Sequence, residues 1–86
     1  MTAAAITARL QQALSPSALK VQDDSHLHAG HQGAREGGHY TVHITAECFT
    51  GLARLARHRL VYDSLGPLTA LGVHALAINA RSPSES

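Results

Sequence analysis

The spacing of apolar residues changes several times along the chain, and each change marks an element. Ile6, Leu10, Ala13 and Leu14 fall at i, i+4, i+7 and i+8, which sets them on one face and predicts a helix over Ala3–Leu14 with Thr2 as its N-cap. Arg9, Gln11 and Gln12 lie off that face, and Pro16 between Ser15 and Ser17 stops the helix. The period then drops to two. Leu19 and Val21 alternate with Lys20 and Gln22, predicting a short strand over Leu19–Asp24. His39–Ala46 alternates over a longer run: Tyr40, Val42 and Ile44 point one way, His39, Thr41, His43 and Thr45 the other. That is a strand with one buried face, expected antiparallel to the first.

The helical period returns in Phe49–Tyr62. Leu55, His58, Tyr62 and Leu65 stand at i, i+3, i+7 and i+10 with Val61 beside them, so this spacing places His58 on an apolar face between diverging Arg57 and Arg59. Leu52, Ala53, Ala56 and Leu60 make a second apolar strip. A helix apolar on two sides is either sandwiched or offers one side to a partner. Gly66-Pro67 interrupts it, with Pro67 suited to begin a short extra turn. Val73–Ala80 is a last strand, reached through a helical crossover and so expected parallel to its neighbour. Ser25–Gly38, with four glycines and three histidines, has no period and reads as a long loop, a segment type that often carries function in a small domain. Arg81–Ser86 reads as a frayed, disordered polar tail. The order helix, strand, strand, helix, helix, strand defines an α+β fold with a three-stranded mixed sheet and helices on one face.

Composition narrows this picture. Eighty-six residues make one domain, and its core must come from Ala, Leu, Val and Ile, because there is no Trp, one Phe and two Tyr. A net charge of +1 gives no independent case for nucleic acid. The single cysteine, Cys48, excludes an internal disulfide and fits a reducing compartment, so a cytoplasmic protein is expected. No apolar run reaches membrane length and no signal-peptide core is present. The first 22 residues lack acids and carry Arg9 and Lys20, as an organellar transit peptide would, but they also make a good first helix.

Seven histidines are the anomaly. His26, His28 and His31, spaced H-x-H-x-x-H, can capture Zn²⁺ or Cu²⁺, although a solvated His-rich loop has the same composition. His74 opens a strand, which gives a rigid base for a ligand. His58 reads as a core histidine and Cys48 as a small buried or half-buried hydrophobe beside Phe49. Arg54, Arg57 and Arg59 can contact phosphates or simply solvate a helix face, and without interleaved aromatics any nucleic-acid binding would be weak and salt-dependent. No Ser or Cys nucleophile is paired with His and an acid at a recognisable spacing, and no phosphate loop is present, so no enzyme is expected.

Three segments carry a resemblance. F49-x-G51-x5-R57-H58-R59-x-V61-Y62 resembles the signature of the BolA family, and V73-H74-A75-L76-A77-I78 resembles its last strand. S25-x-x-H28-A29-G30-H31 followed by H39-Y40-x-V42 resembles the loop and second strand of its His-type branch. The resemblance runs from Ser25 to Pro83, within a single domain over residues 1–80 followed by the tail 81–86. It implies a fold like class II KH domains, a monothiol glutaredoxin as partner, and a [2Fe–2S] cluster shared with that partner. For some members it implies a DNA-binding regulator linked to stress and cell shape. It also implies that His74 and a loop histidine (His28 first, His31 next, His39 at the loop exit) ligate the cluster, while Phe49, Gly51, His58 and Tyr62 support the fold. Ligand counting agrees: one Cys cannot hold a [2Fe–2S] cluster, but one or two imidazoles can complete an iron whose other ligands come from elsewhere. The rival expectations are a DNA-binding regulator using Arg54, Arg57 and Arg59, and an adaptor that binds glutaredoxin without metal. The chain departs from the family pattern in a longer loop and in Gly66-Pro67.

Overall fold

The structure, a computed structural model, describes residues 3–24, 38–67 and 73–85. Helix α1 spans Ala3–Leu14, strand β1 Ala18–Asp23, strand β2 Gly38–Thr45, helix α2 Arg54–Leu65 and strand β3 Val73–Arg81. Short 3-10 turns cover Glu47–Phe49 and Pro83–Glu85. The extra turn expected at Pro67 and nearly all of the Ser25–Gly38 loop lie outside the described residues.

The sheet is mixed, in the order β1-β2-β3. β1 runs antiparallel to β2 (Val21 opposite Val42) and β3 runs parallel to it (Ile78 beside Val42). The alternation along β2 does what the sequence implies: Tyr40, Val42 and Ile44 are buried, and His43 on the other face is exposed. The core joins these residues to Ile6 and Leu10 of α1, Val61 and Leu65 of α2, Val73 and Ile78 of β3, and to Ala46 and Phe49. Both helices therefore cover one face of the sheet. Phe49, wholly buried on its 3-10 turn, is the largest of the fully buried side chains.

α1 begins and ends as its apolar period predicts, except that Ala13 is exposed and Ala3 joins the packing instead. α2 differs more. Leu55 is 64% exposed, Tyr62 38%, and His58 half-buried, so Leu55–His58–Tyr62 is an outer row and not the core face. The core row is Arg57, Val61 and Leu65 at i, i+4 and i+8, with Leu60 packed beside it. An arginine on the first rung of this row hides its phase: its aliphatic stem is covered while its guanidinium reaches polar partners. The assignment of Tyr62 and His58 to the interior is corrected accordingly. Gly66 closes α2 with φ +84, a conformation that glycine adopts at little cost, and Arg9 Nη1 of α1 donates to the last-turn carbonyl of Leu65 at 3.0 Å.

Residues 81–85 are built into the fold and are not a frayed tail. Arg81 still belongs to β3, and Ser82 is only 2% exposed. Ser82-Pro83-Ser84-Glu85 makes one half of a capping box: Glu85 reaches back to accept from the Ser82 N–H at 2.7 Å, while the Ser82 hydroxyl donates to the same carboxylate oxygen at 2.8 Å and the Glu85 N–H donates to the Ser82 carbonyl. Pro83 occupies the first helical position, where a missing N–H costs nothing.

Candidate functional site

The candidate site is one end of the sheet. Asp24 N–H donates to the His39 carbonyl at 2.7 Å, and Thr41 Oγ1 donates to Asp24 Oδ2 at 2.5 Å. These two bonds clamp together the residues on either side of segment 25–37. Its three histidines, His26 and the candidate ligands His28 and His31, lie outside the described residues, but the residues flanking the segment are fixed at this end of the sheet.

β3 arrives at the same place. Gly38 pairs with Val73 and His39 with Ala75, so the register shifts by one residue and His74 is left as the extra residue of β3. Such irregularities recur beside functional sites because they re-aim a side chain. Position 74 thus lies against Gly38–His39, although 35 residues separate it from His39 in sequence. His39 itself is half-buried, with Nε2 shielded from solvent. Gly38 is required there: a Cβ would collide with the Tyr40 ring, which folds back along the strand over it. Burial, and then the nearby negative charge of Asp23, push the Tyr40 hydroxyl above its ordinary pKa, so it remains neutral in its pocket.

Cys48 stands elsewhere. It follows β2 at the opposite end, about 20 Å along the strand from His39, and it is exposed, not buried beside Phe49. Partial desolvation raises its thiol pKa. Among the described residues no three His, Cys, Asp or Glu side chains gather as a self-sufficient metal site. With a single cysteine in the chain, its own residues do not fit the four-ligand requirement of a whole iron–sulfur cluster.

The three arginines do not form one face. Arg57 Nε donates to the Leu52 carbonyl at 2.8 Å, and its Nη1 donates to the Ala80 carbonyl at 3.1 Å and to Glu85 Oε1 at 2.6 Å. With 13% of its side chain exposed, Arg57 ties the molecule together and is not presented to a nucleic acid. Arg54 and Arg59 are exposed. Both Arg57 and the capping box were missed by sequence reasoning. S-P-S-E is a readable N-terminus signature, whereas nothing local in the sequence announces the role of Arg57.

This arrangement of two helices over a three-stranded mixed sheet, with histidine positions gathered at one end, defines a small α+β domain of recognisable kind. The BolA domain of SufE1 from Arabidopsis thaliana superposes with a TM-score of 0.84 at 39% identity, covering 98% of this chain and 94% of that one. The family described as BolA-like protein matches residues 10–85, and the chain belongs to that family. It is 43% identical over 82 residues to mouse BolA-like protein 1, covering 95% of this chain and 58% of the relative, so it spans little more than half of that protein. It is 36% identical over 80 residues to the DNA-binding transcriptional regulator BolA of Vibrio cholerae, covering 93% of this chain and 74% of the relative. Among the described residues no helix is long and apolar enough to cross a membrane.

Proposed function

We propose that the protein is a non-catalytic accessory protein that docks a monothiol glutaredoxin and supplies histidine to a [2Fe–2S] cluster held between the two. The observation that carries this reading is the convergence at one sheet end. The Asp24–His39 bond closes the base of the His28/His31 segment, and the register shift sets position 74 beside it. Chain length keeps His28, four residues after Asp24, within about 14 Å of it. His74 is the first ligand, and His28 is preferred to His31 and His39 as the second. When bound, the cluster supplies redox and transfer chemistry. The chain itself would contribute imidazoles from position 74 of β3 and from the segment whose flanking residues, Asp24 and His39, are bonded to each other.

Reconstitution with a monothiol glutaredoxin tests this. A brown complex is expected, with visible absorption and CD altered by His74→Ala and by His28→Ala but not by Cys48→Ser. A colourless complex would leave the metal-free adaptor. Spectra indifferent to both histidine variants would remove the ligand assignment.

A second reading, a DNA-binding regulator, is favoured by the likeness to the Vibrio protein. The tie that holds Arg57 confines that reading to the exposed Arg54 and Arg59. It predicts DNA affinity that falls steeply with salt, with a shallower slope in Arg54→Ala/Arg59→Ala. No affinity at low salt would exclude it.

A further inference from the structure

A second concentration of charge lies at the other end of the sheet. A cleft of about 430 Å³ opens between the first turn of α2 and the end of β3, lined by Arg54, Arg57, His58, Asn79, Arg81 and Glu85 among others. Across β3, a depression of about 390 Å³ on the open sheet face shares Asn79 and Arg81 with the cleft and adds Lys20 and His43. The spacing that grouped Arg54 with Arg57 and Arg59 along one helix gives no sign of this. The fold regroups Arg54 with Arg81, from a strand 27 residues later.

The cleft already receives one oxyanion. Glu85 Oε1 accepts from Arg57 Nη1 at 2.6 Å, from the Ser82 N–H at 2.7 Å and from the Ser82 hydroxyl at 2.8 Å. That carboxylate satisfies one guanidinium. Among the described residues, Arg54 and Arg81 line the same cleft without a carboxylate of their own. Two such cations beside one concavity repel each other, and an anion bound between them offsets that repulsion. Guanidinium forks match the geometry of phosphate oxygens and hold them bidentately. The volume suits a phosphoryl group with part of its ester, being at the lower end of the range for ligand pockets.

We propose that the cleft between α2 and the end of β3 is a phosphate-binding site, in which Arg54 and Arg81 hold a phosphoryl group beside the Arg57–Glu85 pair. The phosphoryl group comes either from a small phosphoester or from a nucleic-acid backbone, which would continue past Asn79 towards Lys20 and His43. The site stands about 20 Å along the sheet from the His39 and His74 end, so it does not rest on cluster binding and does not compete with it. Glu85 acts as an internal competitor that lowers the affinity of the cleft.

The test is an NMR titration of the full chain with inorganic pyrophosphate and, separately, with a single-stranded oligonucleotide at low salt. Saturable shifts are expected at Arg54, Asn79 and Arg81. Arg54→Ala/Arg81→Ala removes two exposed side chains without touching the core and should weaken binding about a hundredfold, about tenfold for each guanidinium removed. Glu85→Gln should tighten it. Binding of pyrophosphate alone assigns a small phosphoester; binding of both, with a steep salt dependence for the oligonucleotide, assigns a nucleic-acid backbone. Shifts confined to other residues with both probes, or unchanged affinity in the double arginine variant, would overturn the proposal.

Discussion

Arg57 Nη1 donates to Glu85 Oε1 at 2.6 Å, joining the first turn of α2 to a residue 28 positions later. The same side chain holds the Leu52 carbonyl ahead of its helix and the Ala80 carbonyl on β3. One guanidinium thus fixes the entry to α2, the end of the sheet and the C-terminal turn. Arg57→Met leaves all three acceptors without this donor and should cost roughly 2–3 kcal/mol. Thermal unfolding should then fall by roughly 10–20 °C. Arg57→Lys should recover only part of this, because an ammonium cannot reproduce the fork. A variant that melts with the parent would show that the three contacts are dispensable.

The Glu85 carboxyl is held at about 2, below its ordinary 4.5, by the Ser82 backbone N–H first, then by Arg57 and the Ser82 hydroxyl. A carboxyl with a lowered folded pKa stabilises the fold fully above its unfolded value. Its contribution should therefore be present above pH 4.5 and disappear as pH falls towards about 2. NMR titration of the Glu85 carboxyl should give that low midpoint, with the protection factor of the Ser82 amide (its exchange rate relative to the intrinsic rate at each pH) falling over the same interval. A midpoint near 4.5 would show that the capping box is open in solution.

The corrected phase of α2 separates a buried row, Arg57–Val61–Leu65, from an outer row, Leu55–His58–Tyr62. Val61→Ala, on the buried row, should destabilise by roughly 1–3 kcal/mol. Leu55→Ala, on the outer row, should stay within about 0.5 kcal/mol of the parent. Urea unfolding of the two variants decides the matter, and the reverse order would restore Leu55, His58 and Tyr62 to the core.

Gly38→Ala drives a methyl group into the Tyr40 ring, which is buried and has little room to retreat. A loss of roughly 1–3 kcal/mol is expected from the overpacking. Tyr40→Leu in the same chain should relieve part of the clash, so the double variant should be more stable than the sum of the single changes. Strict additivity would mean that the ring does not oppose the methyl.

Where one period governs an element, the sequence is sufficient. α1 and the burial pattern of β2 follow from spacing alone, and so do the antiparallel and parallel pairings, since a long crossover demands the latter. α2 resisted because Arg57 occupies an apolar rung. With that rung disguised, Leu55 and Tyr62 make the better-looking stripe. The C-terminal turn resisted for a different reason: three serines, a glutamate, an arginine and a proline have the composition of a tail, and only the order S-P-S-E encodes a cap. At the candidate site, the family pattern points to His74, but its register shift against Gly38–His39 is set by strand pairing and has no local signature.

The outward side of β3 has a further consequence for the molecule. In the order β1-β2-β3 this strand is an edge, and Arg81 directs its carbonyl inward to the Ala46 N–H. The carbonyl of Ala80 points the other way, where a strand from a second molecule would seek a partner. Arg57 already occupies it, with a charge that an incoming strand would have to desolvate. The bond that secures the domain therefore also discourages its sheet from growing.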